Sequence, residues 1–119
     1  MLINLTNHPS SQWGESQLNT AMQYGEIIDH PFPMVPPEAS EEDISNIAKD
    51  VYISITQLYG NNISAIHIMG EFTLCYALIQ MFKAAGVICI ASTTQRIVTE
   101  HPDGTKTSTF RFVKFREYK

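Results

Sequence analysis

Cysteine is nearly missing from this chain. Cys75 and Cys89 are the only two in 119 residues, and both sit in apolar surroundings. That is too few for a disulfide scaffold and fits buried, reduced thiols. A long hydrophobic run is missing too. The longest apolar helix candidate, Phe72 to Phe82, is about half the ~20 residues a membrane span needs. The start, Met1-Leu2-Ile3-Asn4, lacks the basic region and cleavage pattern of a secretory signal. A cytoplasmic protein with no membrane partner is therefore expected. Glycine is sparse where nucleotide motifs need it: there is no dinucleotide fingerprint, no phosphate loop with its lysine and no Gly-x-Ser-x-Gly elbow. No two of the four histidines and two cysteines have metal-ligand spacing, so neither a metal nor a cofactor is expected. Basic charge is scarce over most of the chain. Residues 1–95 carry only Lys49 and Lys83 against nine acids, whereas residues 96–119 carry six basic residues against three acids. Such a basic tail meets phosphate or pairs with the body's own acids; no DNA partner is expected.

What is present suits a packed core. Apolar residues make up 44% and charged residues 17%, ordinary for one globular domain over residues 1–119. Leu2 to Thr6 reads as a first strand, Ser16 to Gln23 as a short helix stopped by Gly25, and Glu26 to Asp29 as a second strand. The prolines of His30–Pro37 forbid helix and central strand, and Phe32, Met34 and Val35 make that loop an ordered one. Ser40 followed by Glu41-Glu42-Asp43 caps a helix whose stripe is Ile44, Ile47, Ala48, Val51, Ile55 and Leu58. Ile63 to Met69 is a third strand, followed by a helix over Glu71–Ala85 that is apolar on nearly all sides. Val87 to Ala91 has the continuous apolar run of a buried parallel strand. Two strand-like segments, Arg96–His101 and Thr107–Glu117, flank the turn residues Pro102-Asp103-Gly104. The expected fold is α/β: a Rossmann-like, three-layer domain whose mainly parallel sheet ends in a C-terminal antiparallel hairpin.

Three of the expected parallel strands run into clusters of small and polar residues: Asn7-His8-Pro9-Ser10-Ser11, Gly70-Glu71-Phe72-Thr73 and Ser92-Thr93-Thr94-Gln95-Arg96. Open α/β sheets bind ligands beyond the carboxyl ends of their strands, so these clusters are the candidate site. Gly70 admits close backbone approach, and the helix N-terminus near Thr73 offers free N–H groups. Glu71 orients a ribose hydroxyl or acts as a base; its plain alternative is a capping acid. Arg96 suits a phosphate, or is merely solvated at a hydroxyl-rich strand exit. His8 suits proton transfer, and Ser10 or Ser11 suits either a ligand or a helix cap. His67, inside a buried strand, reads as a satisfied core residue. Phe110-Arg111-Phe112-Val113-Lys114-Phe115-Arg116 interleaves aromatics and bases, which fits single-stranded nucleic acid or, preferably, an edge strand protected from pairing.

The segments Met69–Thr73, Ala91–Val98 and Phe112–Tyr118, with Leu5-Thr6-Asn7-His8-Pro9, resemble small CRISPR-associated Rossmann-like proteins of type III systems. These are stand-alone relatives of the CARF ligand-binding domains, and they include ring nucleases. The resemblance implies a homodimer with a cyclic oligoadenylate, such as cyclic tetra-adenylate, bound across the two-fold axis. It implies metal-independent cleavage by in-line attack of a ribose 2′-hydroxyl, switching off type III CRISPR signalling. His8, Ser11 and Glu71 are then the catalytic candidates. Asn7, Ser10, Gly70, Phe72, Thr73, Ser92, Thr93, Thr94 and Arg96 are the candidates for holding the nucleotide. A non-catalytic sensor or sponge for the same ligand is the first alternative. A small interaction subunit that docks through Phe72–Phe82 is the second.

Overall fold

A computed structural model describes residues 1–119. One five-stranded sheet runs through the chain in the order β2-β1-β3-β4-β5. Its strands are β1 (Leu2–Leu5), β2 (Ile27–Asp29), β3 (Ala65–Ile68), β4 (Ile88–Glu100) and β5 (Lys106–Glu117). β1 to β4 are parallel, and β5 is antiparallel to β4. The connections carry α1 (Glu15–Ala21), α2 (Glu41–Tyr59) and α3 (Phe72–Ala84). The α/β architecture with a C-terminal antiparallel pair is as expected.

The helices cover opposite faces. Ile3, Leu5, Ile66 and Ile68 point toward α2 and α3 and pack on Ile44, Ala48, Val51, Ile55, Leu74, Leu78 and Phe82. Full burial of a Leu, Ile or Phe stabilises by about 1.5–3 kcal/mol, so this layer dominates the core. On the other face Leu2, Ala65 and Ile90 pack on Ala21 of α1, with Trp13 and Phe115 alongside. α2 begins with a complete capping box: the Ser40 hydroxyl accepts from the Asp43 amide and the Asp43 carboxylate from the Ser40 amide. Leu58, expected in the buried stripe of α2, is 65% exposed, because the core-facing side passes from Ile55 to Tyr59, one turn on, which packs against the core. In the proline-rich loop Phe32 is buried, whereas Met34 is exposed.

The sequence reading misplaces the end of β4. Ser92 to Arg96 was expected as a strand exit, but β4 continues unbroken to Glu100. Its pairing with β3 ends at Ile90, and from Ala91 onward it pairs only with β5. The two strands leave the sheet as a ribbon. A register shift after Thr93 places Val113 as an extra residue between the partners of Thr93 and Thr94. Threonine and the β-branched residues that follow are good strand formers, so a polar composition here means a solvated ribbon and not a loop. The ribbon stretches the molecule to 53 × 37 × 25 Å.

Candidate functional site

The strand order reverses between β1 and β3, since β1 runs on to β2 at one side and the chain crosses back to β3 at the other. A crevice opens beyond the carboxyl ends of strands flanking such a switch point. Here it holds a cavity of about 400 Å³. Thr6 and His8 follow β1, His67 and Met69 close β3, and Ser92 and Thr94 come from the ribbon. Gln12, Trp13 and Gln17 form the α1 side, and Phe110 reaches over from β5. Apart from the histidines the lining carries no titratable group.

A polar network beneath this cavity fixes its walls. In-register pairing puts Asp29, Asn4 and His67 side by side on three neighbouring strands. Asn4 is 1% exposed. Its amide donates to Asp29 Oδ1 (2.8 Å) and to the His8 carbonyl (2.9 Å). Its Oδ1 accepts from the Thr6 hydroxyl (3.0 Å) and lies 2.9 Å from His67 Nδ1. Because the Asn4 oxygen only accepts, His67 Nδ1 carries the proton. Asp29 further accepts from the Ser10 amide and hydroxyl. Burial raises the Asp29 pKa, but the hydrogen bonds from Asn4 and Ser10 outweigh this and hold it below its ordinary value. Burial, with a smaller contribution from the charge of His8, pushes His67 down to about 4. His67 is therefore a neutral imidazole at pH 7.

The loop after β1 is tied to the same network. The His8 carbonyl accepts from the Asn4 amide and from Trp13 Nε1, and the one proton of the Thr6 hydroxyl is shared between this carbonyl and Asn4 Oδ1. The His8 side chain stays exposed at the cavity mouth. Trp13 stands edge-on to His67, ring centroids 5.4 Å apart, and Phe115 meets the imidazole at the same separation. His67 is thus not the fully satisfied core residue of the sequence reading: Nδ1 is bonded, but Nε2 is buried without a partner.

The other expected site residues separate. Of the twelve, His8, Ser92 and Thr94 line the cavity. Ser10 is held by Asp29, and Ser11 is exposed in a 3₁₀ turn beside the cavity without lining it. Asn7 faces the proline-rich loop. Thr93 lies on the opposite face of β4 from Ser92 and Thr94, its hydroxyl donating to the Lys114 carbonyl. Arg96 sits further out on the ribbon, its guanidinium on the Ser108 hydroxyl. Gly70 and Phe72 border a different cavity, about 610 Å³ beside α3, with Tyr76 and Tyr118. A Cβ at Gly70 would come within 2.7 Å of the Phe32 ring, so the close approach that requires glycine is made by Phe32. The Glu71 carboxylate accepts from the Thr73 amide and hydroxyl and from the Leu74 amide. These bonds, that of the Thr73 hydroxyl foremost, hold its pKa below the ordinary value. Its own side chain thus fills the α3 N-terminus, and the capping alternative describes it.

Sequence reasoning missed Asn4, Gln12, Trp13 and Gln17. Asn4 left a signal, being the one amide inside the apolar run Leu2–Leu5. No three His, Cys, Asp or Glu side chains come together as a metal site. No helix is long and apolar enough to cross a membrane. Residues 1–116 match the model of the uncharacterized protein MJ1673 family, and the chain belongs to that family. No curated protein and no solved structure matches.

Proposed function

We propose that the protein is a ring nuclease: it binds a cyclic oligoadenylate at the carboxyl edge of its sheet and cleaves it without a metal. One observation carries the reading. The switch-point cavity combines aromatic rings, side-chain amides and hydroxyls with one exposed imidazole, His8. Rings and amides suit nucleobases, and the hydroxyls suit ribose and phosphate oxygens. In the reaction a ribose 2′-hydroxyl attacks the adjacent phosphorus in line. His8 takes the hydroxyl proton as the O2′–P bond forms and the P–O5′ bond breaks, the 5′-oxygen leaves as a hydroxyl by taking a proton from the imidazolium or from water, and a 2′,3′-cyclic phosphate end remains. With Glu71 engaged in capping and Ser11 turned to solvent, His8 is the base. General-base help is worth typically 10²–10⁴-fold.

The test is incubation with cyclic tetra-adenylate in the presence of a chelator, followed by product analysis. Linear products with cyclic phosphate ends are expected, and His8→Ala should slow their formation by roughly 10²–10⁴-fold while binding persists. Tight binding without product would instead assign the protein as a sponge or sensor. That second reading draws on the same geometry, since one of the three catalytic candidates lines the cavity.

A further inference from the structure

The cavity holds one group whose chemistry is left open. His67 is 2% exposed, and its Nε2 is buried without a hydrogen-bond partner. Nδ1 carries the proton, because the Asn4 oxygen it faces at 2.9 Å only accepts. Nε2, on the far edge of the ring from Asn4, therefore presents a bare lone pair. The Asn4 amide is locked by Asp29 and the His8 carbonyl, so this tautomer is set by hydrogen bonds running back across two strands. Trp13 and Phe115 flank the imidazole, each with its centroid 5.4 Å away. Buried acceptors in native proteins are nearly always paired. His67 is one of the residues lining the cavity, and an unpaired acceptor in a lining residue calls for a donor from whatever fills that cavity.

The rest of the lining narrows the occupant. Trp13 and Phe110 offer apolar faces, and Gln12 and Gln17 offer amides that both donate and accept. This set fits a flat, uncharged heterocycle with polar edges.

We infer that the cavity is a nucleobase pocket in which His67 Nε2 accepts a hydrogen bond from an exocyclic amino group, so that the site selects an amino-bearing base over its oxo counterpart. This rests on the nucleotide reading above and adds its specificity-determining residue. A carbonyl oxygen in the same place would set two acceptors against each other.

The experiment follows the ¹⁵N resonance of His67 Nε2 while adenosine or inosine is added, and measures the affinities of cyclic tetra-adenylate and cyclic tetra-inosinate by calorimetry. Adenosine should move the resonance upfield, as for an acceptor gaining a hydrogen bond. Inosine should leave it in place, and the inosine ring should bind roughly 10- to 100-fold more weakly than the adenine ring. Thr94→Trp, an exposed ribbon position at the cavity wall, should abolish the adenosine response without lowering the melting temperature. Equal affinities with an unmoved resonance overturn the inference and leave the ring-nuclease reading standing. An adenosine response without binding of either cyclic ligand does the reverse. A resonance already at its hydrogen-bonded position in the free protein means that water fills the role, and the inference fails. So it does if Thr94→Trp responds like the unaltered protein.

Discussion

His67 is a neutral base folded into a place where it cannot easily take a proton. Its folded pKa of about 4 lies below the ordinary histidine value of 6.5. The unfolded chain therefore binds the proton more readily, and stability contributed by the neutral form is complete above pH 6.5 and lost as pH falls toward 4. With these values the loss from this residue is about 2 kcal/mol at pH 5. Thermal melts should show a fall between pH 7 and pH 5 that is absent in His67→Leu, whatever that variant's absolute stability. Gly70 makes a second prediction. Alanine there would press a methyl group on the Phe32 ring, which is buried and held between Pro31 and Pro33. Overpacking of this kind costs about 1–3 kcal/mol, and chemical denaturation should report it. Neither effect was legible in the sequence. Asn4 and His67 are 63 residues apart, and only strand register brings them together.

Among the elements, α2 and the turn of the hairpin were the most legible. Ser40 and Asp43 announce their cap within four residues, and Asp103-Gly104 marks its turn locally. α3 was readable in extent, but the role of its first residues was divided between ligand and cap. Its N-cap is Glu71, whose carboxylate takes the Thr73 and Leu74 amides. Glu71→Gln should lower the melting temperature seen by circular dichroism and leave nucleotide turnover unchanged; slowed turnover at unchanged stability would return Glu71 to the chemistry. β4 was the least legible element. A run of hydroxyls looks the same in a loop and in a solvated ribbon, and what decides between them is the partner strand that comes later in the chain. That misreading also scattered the expected site, because side chains alternate along a strand: Thr93 faces away from Ser92 and Thr94.

The whole molecule is longer than its mass suggests. Its radius of gyration of 16.2 Å exceeds the roughly 13.5 Å of a compact domain of this length, and the ribbon accounts for the difference. Ile97, Val98, Phe110 and Val113 lie at least partly exposed along it, and Phe72 and Tyr76 are exposed on α3. An isolated two-stranded ribbon is only marginally stable in water. A homodimer is the proposed arrangement, and sedimentation at micromolar concentration should give twice the 13.4 kDa chain mass. A monomer with and without cyclic tetra-adenylate would remove both the dimer and a site shared across a two-fold axis. Neither sheet order nor elongation follows from composition. The alternation of strands and helices was visible along the chain, but the distance the last two strands travel beyond the sheet was not.

The single carbonyl of His8 takes hydrogen bonds from the Asn4 amide and Trp13 Nε1, with the Thr6 hydroxyl also within reach. Loops beside binding sites commonly settle into shape only when their ligand arrives, and part of the affinity is spent on ordering them. Here that ordering belongs to folding. The imidazole at the cavity mouth hangs from a backbone already fixed by the sheet, so the ordering of this loop takes nothing from a ligand's affinity.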